Sequence, residues 1–174
     1  PNLHTVVWGG KRLRPYKGLA PSDEPIGESW EVSAIPSSAS IIANGELKGS
    51  SIIDVIDVAP ENILGKSVAE NNGGKLPLLI KFIDAKKDLS IQVHPNDEMA
   101  RRVHGKSGKT EMWYIIDAEP GSYLYAGFQK EITKEEYKRR VADGTITEVL
   151  AKHEVKPGDV FYLPAGRVHA ICSG

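Results

Sequence analysis

A short alternating segment in the middle of the chain carries the side chains best suited to chemistry. Apolar and polar residues alternate over residues 89–95, and this period of two predicts a β-strand. Ser90, Gln92 and His94 would then share one face of the strand, opposite the leucine, isoleucine and valine. A hydroxyl, an amide and an imidazole can bind a metal ion or a polar ligand. On this segment alone, an ordinary solvated strand face is an equally good interpretation.

The elements around this segment are predicted to be mainly β. Short alternating or apolar runs indicate strands at residues 5–8, 27–33, 40–43, 78–83, 111–116, 122–128, 153–155, 159–163 and from 168. Helices are expected over residues 47–64, 96–103 and 133–142, with a loop at 71–74. Many short strands separated by turn residues indicate a β-sandwich or barrel with helical insertions.

The apolar runs and the helix starts make more specific predictions. The run 78–83 is almost continuously apolar, which predicts a strand that is buried on both faces. Lys81 lies inside that run, so its ammonium needs an anion or a path to solvent. Asn96 or Asp97 is the expected N-cap of the second helix, and Thr133 that of the third.

Length and composition are those of an ordinary globular protein. A chain of 174 residues fits one domain, or one domain and part of another. Its net charge of −1 argues against bulk attraction to nucleic acid or to an anionic membrane. No run approaches the roughly 18 apolar residues that would span a bilayer, and no signal-peptide pattern is present. The single cysteine, Cys172, is expected to be a small buried residue in a protein of the reducing cytoplasm.

The end of the chain carries a spaced pattern of turn residues and a histidine. Gly158, Pro164, Gly166 and His169 follow the spacing of the second sequence signature of the cupin jelly roll. In that signature glycine and proline form the hairpin corners, and the histidine points into the barrel. Ser173 stands where cupins usually have asparagine, which is a minor departure.

The first cupin signature is present in an altered form. It normally supplies two histidines and a glutamate, whereas here Gln92 takes the place of the first histidine and His94 is retained. Glu111 follows after a helical insertion that lengthens the usual gap.

Six stretches together narrow the resemblance. They are Trp8-Gly9-Gly10, Gly27-Glu28-Ser29-Trp30-Glu31, Leu78-Leu79-Ile80-Lys81, Ser90-Ile91-Gln92-Val93-His94-Pro95-Asn96-Asp97, Lys109-Thr110-Glu111-Met112-Trp113-Tyr114 and Pro164-Ala165-Gly166-Arg167-Val168-His169. In this order the chain resembles the type I phosphomannose isomerases, a branch of the cupin superfamily, over essentially all 174 residues. The segments Gln-x-His-Pro-x-Asp and Lys-x-Glu-x-Trp are specific to this family, whereas each glycine-rich segment by itself is weak evidence for the resemblance.

The resemblance implies a fold and a metal site. The fold would be a cupin jelly roll with helical insertions, and residues 1–174 would form a single catalytic, metal-binding domain. Gln92, His94, Glu111 and His169 would bind one zinc ion per chain. Two neutral imidazoles, one carboxylate and one amide leave positive charge on such an ion and room for water or substrate.

The family interconverts mannose 6-phosphate and fructose 6-phosphate through an enediol, so the expected partner is a small sugar phosphate. By this resemblance Lys109 and Glu111 are candidate catalytic residues, and Lys81 and Ser90 are candidates for binding the phosphate. The family's catalytic arginine, preceded by an acidic residue, comes after the position of His169. The sequence therefore looks like the N-terminal part of such an enzyme, expected to be truncated on its C-terminal side.

Two other functions are consistent with the same residues. Two histidines and a carboxylate also describe the Fe(II) site of a cupin oxygenase, although Gln92 as a fourth ligand counts against it. A non-catalytic cupin that binds a sugar phosphate is the second alternative. His4, His104 and His153 are interpreted as ordinary core or surface residues.

Overall fold

Short β-strands dominate the structure, a computed structural model that describes residues 2–174. The predicted mainly-β class is confirmed. The chain divides into two compact units, Pro1–Asp84 and Ala85–Gly174. The jelly-roll arrangement and the single domain expected for the whole chain stay predictions.

The first unit contains one antiparallel sheet and several short helices. Its strands are β1 (Leu3–Gly10), β2 (Ile26–Val32) and β3 (Ile80–Ile83), in the order β1-β2-β3. Its helices are α1 (Leu13–Tyr16), a 3₁₀ turn (Pro36–Ser38), α2 (Ile52–Val58), α3 (Pro60–Leu64) and α4 (Lys66–Asn71).

Two glycines let β1 pass close to its neighbours. A Cβ on Gly9 would meet the backbone of Gly27, and a Cβ on Gly10 would meet the carboxylate of Asp84. That carboxylate is buried and accepts hydrogen bonds from the backbone N–H and the Nε of Arg12, at 2.7 and 3.0 Å. The Trp-Gly-Gly stretch is therefore a site of close backbone packing.

Several predictions for the first unit are wrong in detail. The strand expected at 40–43 is only an isolated bridge between Ile41 and Ser51, and the loop expected at 71–74 begins one residue later because Asn71 is the last residue of α4. The helix expected over 47–64 is divided into α2 and α3, because Ser51 caps the first and Pro60 begins the second. β3 is not buried on both faces, since Ile80 is 46% exposed.

The second unit carries two sheets. Its elements are α5 (Asp97–His104), β4 (Glu111–Tyr114), β5 (Tyr123–Phe128), α6 (Lys134–Ala142), a 3₁₀ turn (Ile146–Val149), β6 (Leu150–Glu154), β7 (Val160–Leu163) and β8 (His169–Ile171). β4 pairs with β7, and a second antiparallel sheet has the order β6-β5-β8. Leu124, Leu150 and Leu163 are its most deeply buried large side chains.

Local signals in this unit gave correct predictions. Asn96 accepts a hydrogen bond from the backbone N–H of Met99 at the start of α5, and Thr133 caps α6 in the same way. Cys172 is buried, and burial raises the pKa of its thiol to about 11, which confirms its role as a small core residue. Among residues 2–174, no helix combines the length and the apolar character needed to cross a membrane.

Candidate metal centre

The segment that precedes α5 is extended but is not the regular strand that its alternation predicts. Its pairing with β8 slips by one residue: the backbone N–H of Leu89 donates to Ile171, whereas Gln92 and His169 exchange both backbone hydrogen bonds at 2.9 Å. Val93 is half exposed, so the apolar side of the predicted strand is not buried. The pairing nevertheless places the backbone of Gln92 directly beside that of His169.

Three side chains from this unit form a cluster that could hold a metal ion. His94, Glu111 and His169 each offer a ligand atom, and these atoms lie within 4.8 Å of one another. Glu111 Oε2 is 3.1 Å from His169 Nε2 and 3.4 Å from His94 Nε2. The structure thus brings together three of the four residues predicted as ligands, around one carboxylate oxygen.

The orientation of His169 follows from a backbone contact. Its Nδ1 lies 2.8 Å from the carbonyl oxygen of Arg167. A carbonyl can only accept a hydrogen bond, so Nδ1 of His169 carries the proton. The other ring nitrogen, Nε2, faces Glu111 and has a free lone pair. The ring is further held by the edge-to-face contact of Trp113, with centroids 5.4 Å apart.

The electrostatics of the cluster favour an ionised Glu111 carboxylate and a neutral His94 imidazole. Burial alone would raise the pKa of Glu111, but its side-chain contacts with His169 and Lys109 and the charge of Lys109 lower it to about 2. Lys109 Nζ is 2.9 Å from Glu111 Oε1. Burial and the nearby Lys109 ammonium lower the pKa of His94. Both groups therefore have lone pairs available for a cation at neutral pH.

One observation tests directly whether a cation fits this cluster. His94 Nε2 is buried and, among the described residues, has no hydrogen-bond partner. A buried polar atom without a partner typically costs about 1–3 kcal/mol. A metal ion bound by the three side chains would coordinate this nitrogen, and two imidazoles with a carboxylate are a common ligand set for zinc. The residues present fit a metal ion.

Gln92 and Ser90 lie next to the cluster along the chain, and both are exposed. The Gln92 amide nitrogen donates to Ser90 Oγ at 3.2 Å, which leaves its carbonyl oxygen as the atom that could bind a metal. Because directly paired residues of antiparallel strands project to the same face, the side chain of Gln92 lies on the side of His169. Its role as a fourth ligand stays a prediction.

Lys81 lies in the first unit and has an anionic partner there. Its Nζ donates to Glu28 Oε1 at 2.6 Å, and the other oxygen of Glu28 accepts from the indole N–H of Trp30 at 2.7 Å. The requirement for an anion in this apolar run is therefore met within the β2–β3 pair. Its predicted contact with phosphate stays a prediction.

Two contributors to the cluster, Trp113 and Arg167, lie in stretches that carry the resemblance, but the sequence assigns them no role. Trp113 packs on His169 because it faces inward on β4, and the alternation of exposed Met112 and Tyr114 around it was the available signal. The carbonyl of Arg167 orients His169, but a backbone contact of this kind leaves no signature in residue types.

Comparisons with known proteins relate the chain to one family of enzymes. The family model for the type I phosphomannose isomerase catalytic domain matches residues 1–123. A Bacillus subtilis protein named "Probable mannose-6-phosphate isomerase GmuF" is 42% identical over 175 residues, which cover 100% of this chain and 54% of the relative. The mannose-6-phosphate isomerase of Streptococcus mutans is 38% identical over 172 residues, or 99% of this chain and 52% of the relative.

Solved structures of mannose 6-phosphate isomerases share the fold of this chain. The crystal structure of the mannose 6-phosphate isomerase from Bacillus subtilis has a TM-score of 0.89 and 36% sequence identity, and the match covers 99% of this chain and 53% of that one. A zinc-bound mannose 6-phosphate isomerase shares the fold at 21% identity and a TM-score of 0.73, over 99% of this chain and 64% of that one. The chain spans about half the length of the curated relatives it matches. It belongs to the type I phosphomannose isomerase family.

Proposed function

We propose that this chain carries the zinc site of a mannose-6-phosphate isomerase, which interconverts mannose 6-phosphate and fructose 6-phosphate through an enediol. The observation that carries the proposal is the cluster of His94, Glu111 and His169, with the Lys109 ammonium bound to the same carboxylate. Relatives that align with essentially the whole chain are named as enzymes of this activity.

The proposed metal is one zinc ion per chain, held by His94, Glu111 and His169 with the carbonyl oxygen of Gln92 as a fourth ligand. When bound, zinc would supply Lewis-acid stabilisation of negative charge on the substrate oxygens. The protein contributes the orientation of its ligands. The Arg167 carbonyl sets the tautomer of His169, and the lowered pKa of Glu111 keeps it ionised.

Lys109 is the proposed proton carrier at the substrate oxygens. Isomerisation moves one proton between C1 and C2 of the sugar and another between their oxygens. The Lys109 side chain is 46% exposed while its ammonium contacts Glu111 Oε1, so it can reach a ligand bound beside the cluster. Glu111 holds that ammonium in place and is thereby coupled to the same step.

Lys81 and Ser90 are the residues proposed to bind the sugar phosphate. An ammonium has three N–H donors, so the bond from Lys81 to Glu28 leaves capacity for a phosphate oxygen. Ser90 offers a hydroxyl on an exposed segment. The reducing cytoplasm expected from the single cysteine stays part of the proposal.

A coupled assay that follows fructose 6-phosphate, run on the zinc-loaded chain with mannose 6-phosphate, tests the function. Lys109→Met should lower turnover by about 10²–10⁴-fold, the usual contribution of a positioned proton-transfer group. Lys106→Met is the matched control, because Lys106 is an exposed lysine three residues earlier, and it should keep wild-type turnover.

The same assay separates the alternatives. Mannose 6-phosphate binding without turnover, measured with full zinc content on a chain that also carries the family's catalytic arginine, would refute the isomerase and favour the non-catalytic sugar-phosphate binder. Iron in place of zinc in the purified chain would favour the oxygenase.

A further inference from the structure

The helical insertion between two of the proposed metal ligands is closed at its base. It comprises residues 95–109, in which the chain forms α5 and then returns to the start of that helix. The backbone N–H of Gly108 donates to the carboxylate of Asp97 at 2.8 Å. The next backbone N–H, that of Lys109, donates to the carbonyl oxygen of Pro95 at 3.1 Å. Two consecutive hydrogen bonds thus join the two ends of the insertion.

The returning chain can come this close because Gly108 has no side chain. A Cβ at this position would lie 2.5 Å from the carbonyl carbon of Asn96 and 2.5 Å from the backbone nitrogen of Asp97. Backbone atoms cannot turn aside as the end of a flexible side chain can, so a side chain here would push the two ends of the insertion apart. The hydrogen bond to Asp97 therefore depends on glycine at this position.

The closure fixes the backbone of Lys109, whose ammonium lies 2.9 Å from Glu111 Oε1. A lysine side chain is flexible, so its ammonium stays on one oxygen only where the backbone that carries it is fixed. Lys109 is held at both ends, because its backbone N–H binds Pro95 while its ammonium binds Glu111. The proposed proton carrier is thus positioned by the base of the insertion.

The side chain of Asp97 is not used to cap α5. Asp97 is the first residue of the helix, and the cap is formed by Asn96, whose side chain accepts from the backbone N–H of Met99. The carboxylate of Asp97 is therefore available to the returning turn. A carboxylate oxygen is a stronger acceptor for an N–H group than a neutral oxygen, which suits it to hold the turn at Gly108.

We propose that Asp97 is a positioning residue for the isomerase reaction. It holds the turn that carries Lys109 through the backbone of Gly108, and thereby keeps the Lys109 ammonium at Glu111. The inference rests on the proposed function, in which Lys109 carries a proton at the substrate oxygens. A displacement of about 1 Å in such a group can lower a rate by about 100-fold, so the closure of the insertion bears directly on turnover.

The kinetic test follows turnover of mannose 6-phosphate by the zinc-loaded chain. Asp97→Ala should lower kcat by about 3–10-fold, the effect of one charge-assisted hydrogen bond, and leave KM unchanged. Asp97→Asn keeps an acceptor oxygen and should restore most of kcat. Gly108→Ala should lower kcat by about 100-fold, because it displaces the turn itself. In a Lys109→Met chain, Asp97→Ala should lower kcat no further, since Asp97 acts through this lysine.

A second measurement reports the position of the ammonium without turnover. Nitrogen-15 relaxation of the lysine side chains in the metal-free chain gives an order parameter for each Nζ. The order parameter of Lys109 should exceed that of Lys106, an exposed lysine of the same turn. It should fall toward the Lys106 value in Asp97→Ala and in Gly108→Ala, and stay high in Asp97→Asn.

Glu98→Ala is the matched control. Glu98 is the other acidic residue in the first turn of α5, and within residues 2–174 its carboxylate forms no hydrogen bond or ion pair. Its removal should leave kcat and the Lys109 order parameter at their wild-type values. A wild-type order parameter in both Asp97→Ala and Gly108→Ala, or an equal fall in Glu98→Ala, would overturn the proposal. An undiminished effect of Asp97→Ala in the Lys109→Met chain would overturn it as well. Because the order parameter needs no turnover, failure of the proposed isomerase function would leave this test of Asp97 intact.

Discussion

Replacing Glu111 with glutamine should remove most of the stabilisation that zinc gives to this protein. Glutamine keeps the size of the side chain but removes the negative charge that lies between two imidazoles and an ammonium. In the structure Glu111 Oε2 faces His169 Nε2 at 3.1 Å and His94 Nε2 at 3.4 Å, while Oε1 binds Lys109. The neutral amide is a much weaker zinc ligand and leaves the charge of Lys109 uncompensated beside the ion.

The expected magnitude follows from linkage between binding and folding. With zinc at 100 times its dissociation constant, wild-type stability should rise by about 2.7 kcal/mol. For a cooperative unit of 60–100 residues this corresponds to roughly 10–20 °C in melting temperature. If the substitution weakens zinc binding by about 100-fold, the same zinc concentration contributes only about 0.4 kcal/mol, or roughly 2–3 °C.

Thermal unfolding with zinc and with a chelator gives the zinc-dependent shift in melting temperature for each variant. Because each variant is compared with its own metal-free form, a change in metal-free stability does not affect this shift. His153→Gln is the control, since His153 is another imidazole on the face of His169 but lies outside the cluster. It should retain the full zinc-dependent shift. A Glu111→Gln chain that also keeps the full shift would show that Glu111 does not bind the ion and that the assigned site is wrong.

The first unit gives three further predictions. Lys81→Met should weaken binding of mannose 6-phosphate by about 10–100-fold and leave binding of unphosphorylated mannose unchanged. Equal losses of affinity for the two sugars in a binding titration would assign Lys81 a structural role. Burial would raise the pKa of Glu28, but hydrogen bonds from Lys81 and Trp30 and the charge of Lys81 lower it. Glu28 therefore stabilises the folded chain above about pH 4.5, and this stability is lost as the pH falls through the lowered pKa. Urea unfolding should show that the free energy of unfolding falls less between pH 6 and pH 3 in Glu28→Gln than in the wild type. An equal fall in both proteins would contradict the stabilising role of ionised Glu28. Gly10→Ala should cost about 1–3 kcal/mol, because its methyl group would meet the buried carboxylate of Asp84, and an unchanged denaturation midpoint would show that β1 has room to move.

Elements with strong local signals were predictable from the sequence. Helices α5 and α6 begin at Asn96 and Thr133 because these side chains accept hydrogen bonds from the first helical turn. The resemblance also predicts His94, Glu111 and His169 as one group, and the structure brings these three side chains together.

Features that depend on the partner strand were not predictable in the same way. The alternation of residues 89–95 indicates a regular strand, but its pairing with β8 slips by one residue between Leu89 and Gln92. The apolar run that contains Lys81 predicts burial on both faces, whereas Ile80 is half exposed in the structure. Periodicity reports which residues could share a face, and the neighbouring strand decides whether that face is covered.

The turn at residues 164–167 explains why the three proposed ligands meet, although they come from separate parts of the second unit. Its Gly166 N–H donates to the backbone of His94, the Ala165 N–H lies 3.4 Å from the hydroxyl of Thr110, next to Glu111, and the Arg167 carbonyl accepts from His169. One short turn thus contacts each ligand or its neighbour. Gly166 has a φ of +87°, in the left-handed region that favours glycine, so the turn depends on this residue. The Pro-x-Gly-x-x-His pattern therefore does more than form a hairpin corner. It marks a turn whose hydrogen bonds fix the backbone near each of the three proposed ligands, so a shift of this turn should displace all three together.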